Sequence, residues 1–159
     1  MLINRRTVIA TGALFLAARG AFASDGSHVV EMLNVDPENR RLRNIFLPRI
    51  VTVQPGETIL FQSTNPGHNT QAIEEMIPGG TEAWNSKIGQ DFELTLDQPG
   101  FYGYKCTPHV AIGMVGLIIV QGDGMMDNME AARAVNHRGR AKMAFEEIWA
   151  EVDEQGLAS

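Results

Sequence analysis

Cysteine is almost absent from the 159-residue sequence: Cys106 stands alone. No internal disulfide can form, so no disulfide framework can stand in for a core. Lysine is scarce too, limited to Lys87, Lys105 and Lys142. Basic charge is in deficit overall, with 13 Lys and Arg against 19 Asp and Glu, a formal charge of −6. That balance argues against a nucleic-acid partner, whose phosphates would be repelled. Hydrophobic runs long enough to cross a bilayer are missing, which argues against membrane insertion. Internal repeats and low-complexity tracts are missing as well. What is present is a hydrophobic fraction of 44%, sufficient for the core of one domain.

Residues 1–23 read as a cleavable export signal. Arg5 and Arg6 give a charged start, and Val8 to Ala18 is an apolar stretch of 11 residues. Ala21-Phe22-Ala23 is a small-x-small pattern, placing the cut after Ala23. The Arg5-Arg6 pair suits twin-arginine export, but Val8 and Ile9 are atypical there, so the route stays open. Removal of this segment leaves 10 basic and 19 acidic side chains, about −9. A single cysteine in an exported chain implies a dimer link, an exposed thiol or a task.

Residues 24–123 carry the signals of short strands. Val29 to Leu33 is apolar and stops before Asp36-Pro37-Glu38-Asn39, a turn cluster. Arg49 to Val53 ends at Pro55-Gly56, and Glu57 to Gln62 puts Ile59 and Phe61 on one face. Asp91 to Leu96 has the cleanest period of two, with Phe92, Leu94 and Leu96 aligned. Phe101 to Lys105 follows Gln98-Pro99-Gly100. Met114 to Val120 is a continuous apolar run, the pattern of a central strand. Many short strands between Pro-Gly turns predict an all-β sandwich or barrel. Residues 124–159 differ. Met129 to Val135 predicts one short helix, His137-Arg138-Gly139 a break, and Ala141 to Val152 a second helix. Its apolar stripe runs through Ala141, Ala144, Phe145, Ile148, Trp149 and Val152, and is expected to pack on the sandwich. Met125, Met126 and Met129 are read as packing residues of the first helix.

The chemistry concentrates in Lys105-Cys106-Thr107-Pro108-His109-Val110-Ala111-Ile112-Gly113-Met114, which reads Cys-x2-His-x4-Met on a tight loop between two strands. His68 lies upstream in Pro66-Gly67-His68-Asn69, at another strand-to-loop break. Each residue alone has a plainer reading. A lone cysteine is usually a small hydrophobe, a histidine after Pro-Gly a solvated turn residue, and a methionine before a strand part of the core. Together they form the set that suits both valences of copper: two imidazoles, a thiolate and a weak thioether. His68, Cys106 and His109 would form the trigonal plane and Met114 the long axial bond. Three ligands on one short loop lose little closure entropy, and Pro108 stiffens that loop while removing one N–H near the thiolate. His28 and His137 lack such neighbours and are read as solvated. Two rival readings remain. In one, Cys106 is a catalytic nucleophile, although His109 is only three residues away and no Asn or Asp is evidently placed to orient it. In the other, the chain stores or delivers copper, a task that favours all-sulfur sites.

At these residues the sequence resembles the pseudoazurin branch of the cupredoxin family, whose members are periplasmic blue copper proteins. The resemblance rests on Met32-Leu33-Asn34, Pro55-Gly56, Gly67-His68-Asn69, Met76-Ile77-Pro78, Gln98-Pro99-Gly100, Lys105 through His109, and Gly113-Met114 through Val120. It extends to the two-helix tail. It implies a Greek-key β-sandwich of about eight strands with two C-terminal α-helices. It implies one type 1 copper per chain on His68, Cys106, His109 and Met114, with Asn69, Thr107 and Pro108 around them. Asn69 would tie the ligand loops together and send its backbone N–H to the thiolate. His109 would be the electron's exit, with Lys105, Pro108, Ala111 and Ile112 as the docking surface. The implied role is a single-electron shuttle with no catalysis of its own. Electrons would come from a cytochrome or membrane donor and go to a periplasmic reductase, foremost a nitrite reductase; the alternative is a related cupredoxin serving another respiratory or dehydrogenase chain. A monomer is expected. Two departures stand out. The family's ring of lysines is thinned, leaving open whether Arg40, Arg41, Arg43 and Arg49 replace it. Ile112 stands where a second methionine is common.

Overall fold

The computed structural model describes residues 27–158. The expected export signal, residues 1–23, lies outside them. In chain order the strands are β1 (Ser27–Val35), β2 (Arg43–Leu47), β3 (Ile50–Val53), β4 (Thr58–Gln62), β5 (Gln71–Ala72), β6 (Phe92–Thr95), β7 (Gly100–Lys105) and β8 (Val115–Val120). Two helices follow, α1 (Met129–Arg133) and α2 (Gly139–Glu154). Short 3-10 turns cover Glu74–Met76, Thr107–Ile112 and Met125–Asn128.

The strands form two four-stranded sheets, ordered β2-β1-β4-β6 and β3-β8-β7-β5. Among consecutive strands only β1–β2 and β7–β8 are hydrogen-bonded neighbours, so the chain repeatedly crosses from sheet to sheet. β1–β4 and β3–β8 are parallel; the other pairs are antiparallel. The period-two signal of β6 is realised where Leu94 pairs with Ile59 and Phe92 with Phe61.

The continuous apolar run of β8 has a direct cause. All six of its residues are buried, because its sheet is covered on both faces. Ile118 and Val120 enter the core between the sheets with Val30, Met32, Phe46, Ile59, Phe61 and Tyr104. Val115, Leu117 and Ile119 face the helices, against Ala141, Phe145, Ile148, Trp149 and Val152. These α2 residues recur every three or four positions, so one face of the helix is buried. Burying each large apolar side chain is worth about 1.5–3 kcal/mol. Arg133 closes α1 onto α2: it pairs with Asp153 at 2.7 Å and lies 4.9 Å from the centre of the Trp149 ring. The adjoining guanidinium holds the Asp153 carboxyl below its usual range.

Several elements depart from expectation. β2 and β5 carry no alternation in the sequence. β2 is an edge strand with Phe46 as its one fully buried residue and Asn44 at a φ of 53°. β5 has two residues and owes its place to pairing with β7. Met125 and Met126 lie in the 3-10 turn before α1, and Met126 is exposed. His28 is not freely solvated, since its Nε2 is 3.0 Å from the Glu57 carboxylate.

Candidate metal centre

β7 ends at Lys105 and β8 begins at Val115, and these residues are the last pair of their ladder. Cys106 and Met114 are the next step: the Cys106 N–H donates to the Met114 carbonyl at 3.0 Å. The intervening chain has to turn back within seven residues. It does so as a 3-10 turn held by His109 N–H to the Cys106 carbonyl (3.1 Å) and Met114 N–H to the His109 carbonyl (3.2 Å). Pro108 sits in the first positions of the turn, where its missing N–H is not needed. Gly113 closes the turn at a φ of 96°, a region that side chains disfavour.

Opposite this loop, His68 enters from the connection between β4 and β5. The pairing of Gln71 with Lys105 brings that connection beside Cys106. Nδ1 of His68 lies 3.1 Å from Nδ1 of His109 and 3.7 Å from Sγ of Cys106. Nδ1 of His109 lies 3.4 Å from the same Sγ. A point equidistant from the three donor atoms is about 2 Å from each, which is the usual metal–nitrogen length and a few tenths of an ångström short of the usual metal–sulfur length. Two imidazoles and one thiolate therefore fit a single ion of intermediate softness. His68 and Cys106 are wholly buried, while His109 is partly exposed. Met114 is buried in the same cluster as Cys106.

The protonation state is arranged by the surroundings. His68 Nε2–H donates to Asn34 Oδ1 at 2.8 Å. A carbonyl oxygen only accepts, so the proton sits on Nε2 and the lone pair of Nδ1 points to the gap. Burial, then the proximity of His109, push the His68 pKa down, favouring the neutral ligand form. Burial pushes the Cys106 thiol up, and backbone N–H groups of Asn69 and His109 partly counter this.

Asn69 spans the two loops. Its Oδ1 accepts the Thr107 N–H at 2.8 Å, and its Nδ2 donates to Thr107 Oγ1 at 3.1 Å and to the Ser86 carbonyl at 3.3 Å. The Thr107 hydroxyl in turn donates to Gln71 Oε1 at 3.1 Å. Asn34, Gln71 and Ser86 escaped the reading of the sequence. Asn34 lies in one of the stretches that carried the resemblance, but an asparagine ending a strand reads as a turn residue.

Pro108, Ala111 and Ile112 are exposed beside His109, and Lys105 is partly exposed. A groove of about 1050 Å³ adjoins Ile112, with Arg41 and Arg43 at β2 and Arg140 and Met143 on α2 among its lining residues. Arg49 also borders it, but its guanidinium is bound to Glu147 at 2.9 Å and Glu151 at 3.1 Å. Its charge is thus spent within the molecule. His137 is not solvated as expected: its ring stacks on Phe145, with centroids 4.1 Å apart and planes 23° apart.

The sequence profile of copper-binding proteins of the plastocyanin/azurin family matches residues 33–121, a span that includes His68, Cys106, His109 and Met114. The chain belongs to the plastocyanin/azurin family. It is 38% identical over 144 residues to pseudoazurin of Paracoccus pantotrophus, covering 91% of this chain and 94% of that protein. The crystal structure of pseudoazurin from Methylobacterium extorquens superposes with a TM-score of 0.73 at 35% identity, over 80% of this chain and 99% of that one. Pseudoazurin from Hyphomicrobium denitrificans gives 0.72 at 28% identity, over 80% and 98%. This family member is a type 1 blue copper electron carrier. Among the described residues no helix is long and apolar enough to cross a membrane.

Proposed function

We propose that His68, Cys106, His109 and Met114 hold the copper ion, and that electrons leave through His109 to a periplasmic reductase, foremost a nitrite reductase. A cytochrome or a membrane donor supplies them. The observation that carries this reading is the convergence of the His68, Cys106 and His109 donor atoms from two separate loops onto one gap. Bound copper supplies a one-electron couple. The protein's residues do the rest. Asn34 keeps Nδ1 of His68 free of a proton. The Asn69 and His109 N–H groups temper the charge of the thiolate. Asn69 and Thr107 hold the two loops at one separation, so little rearrangement accompanies a change of valence. Burial of His68 and Cys106 excludes water, and the partial exposure of His109 provides one edge for transfer.

In this reading residues 1–23 are removed on export, residues 24–123 form the copper-bearing sandwich, and residues 124–159 cover one sheet face. The protein works in the periplasm as a monomer and transforms no substrate. Docking uses the apolar surface of Pro108, Ala111 and Ile112 with Lys105, and the basic rim extends along the neighbouring groove through Arg41, Arg43 and Arg140. A buried cysteine with a raised pKa is a poor nucleophile, which disfavours the enzyme reading. A set with two imidazole nitrogens, rather than sulfur throughout, disfavours copper storage. The test is colour. The copper-free protein given Cu(II) turns intensely blue and bleaches with ascorbate, and Cys106→Ser does neither. Stopped-flow mixing of the reduced protein with candidate reductases then identifies the acceptor. A colourless wild-type protein refutes the ligand set.

A further inference from the structure

His137 lies in the short connection between α1 and α2, and its surroundings are unusual for a histidine in a loop. Its ring is stacked on Phe145, itself 2% exposed. Its Nε2 is buried with no hydrogen-bond partner. Two residues later, the chain enters α2 through Gly139 at a φ of 60°. The first turn of α2 lies directly against the ligand loop. A Cβ placed on Gly113 would be 3.3 Å from the Arg140 carbonyl oxygen, and one on Gly139 would be 3.7 Å from the Ala111 carbonyl oxygen. The stack therefore fixes the segment that forms one wall of the loop Ala111–Gly113.

We propose that His137 is a pH-operated latch: neutral, it clamps the start of α2 over the ligand loop, and protonated, it releases it. The regulatory meaning of the latch rests on the reading that this loop carries the copper ligands. The physical reason is that a charged imidazolium needs water or an acceptor at both nitrogens, and the stacked position gives Nε2 neither. The nearest relief is for the ring to swing off Phe145 into solvent, which the glycine at position 139 permits. Charged groups face the ring from the other packed elements. Glu75, in the 3-10 turn after β5, favours protonation, and Lys105, at the end of β7, opposes it. Arg138 and Arg140 flank it on its own segment. Burial outweighs both neighbours and lowers the pKa of the ring. The open state, with an ordinary histidine pKa, takes up the proton first. Release therefore grows as pH falls below the ordinary histidine value, and its pH dependence levels off below the pKa of the stacked ring.

The experiment is amide hydrogen exchange on the reduced, copper-loaded protein from about pH 7.5 to about pH 5, across the histidine range. After correction for intrinsic exchange, protection at Arg140–Ala144 and Val110–Gly113 is expected to fall by up to about tenfold per pH unit between the two pKa values. His137→Phe keeps the stack without a titrating nitrogen, and His137→Gln is a second neutral variant should the phenylalanine fold poorly. In both, the pH dependence disappears. Unchanged protection in the wild type, or a dependence that survives in both variants, overturns the latch. The ligand reading fails by a different result, the absence of a blue colour, which exchange does not measure.

Discussion

Asn34 and His68 are joined side chain to side chain by a 2.8 Å hydrogen bond, although 34 positions separate them. The bond does what an isolated histidine cannot do for itself: it selects which nitrogen carries the proton. With Asn34→Ala the ring is free to adopt the other tautomer and to rotate. Copper affinity, measured by competition with a chelator, is expected to drop about 10- to 100-fold. Asn34→Asp retains an acceptor and should retain affinity, with a lower reduction potential because the added negative charge favours Cu(II). Equal affinity in wild type and Asn34→Ala would show that the bond has no role in ligation.

Cys106 offers a pH-dependent prediction. Burial raises its pKa in the ion-free protein, so at neutral pH the group is a protonated thiol and a slow nucleophile. Iodoacetamide should label the folded copper-free protein more slowly than the unfolded chain. The rate should climb with pH past the ordinary thiol range. Fast stoichiometric labelling at neutral pH would contradict this and revive the catalytic-cysteine reading.

Among the described residues, Tyr104 carries a polar misfit in the core. Its hydroxyl is buried without a partner, and burial raises its pKa far above the ordinary phenol value. Its ring meets Phe46 and Phe61 edge to face, with centroids 4.8 and 5.2 Å apart. Tyr104→Phe preserves those contacts and removes the unsatisfied oxygen, so it should stabilise the fold by about 1 kcal/mol. Gly116→Ala should do the reverse, because a methyl there collides with the Tyr104 ring and hydroxyl. Shifts of the urea midpoint at constant slope measure both effects. Destabilisation by Tyr104→Phe would reveal a partner for the hydroxyl.

Steering is testable at Arg43 and Arg140, which line the groove beside Ile112. The double variant Arg43→Glu/Arg140→Glu should slow electron transfer to a nitrite reductase about tenfold at low ionic strength. The wild-type rate should fall with salt, and the variant's rate should not. Identical salt profiles would remove the arginines from the docking surface.

Much of the fold was legible because burial leaves a period in the chain. β6 alternates since one face meets the core, β8 runs apolar since both faces are covered, and α2 carries a three-four stripe since one face sits on the sheet. β2 and β5 were illegible for the converse reason. An edge strand with a single buried phenylalanine and a two-residue strand leave no period to read. Arg49 looked like part of a basic ring, yet its partners are on α2, about a hundred positions away. His137 looked solvated because nothing nearby in the chain announces that Phe145 will stack on it.

Taken alone, the order of residues determined the kind of chemistry: one cysteine, a histidine three positions on and a methionine after it, a local set whose spacing a short turn can satisfy. The tertiary structure alone decided the centre itself. His68 is 38 positions from Cys106, and their approach depends on β5 pairing with β7 and on Asn69 bridging to Thr107. Distances between segments remote in the chain are set by sheet closure, and no local pattern encodes them.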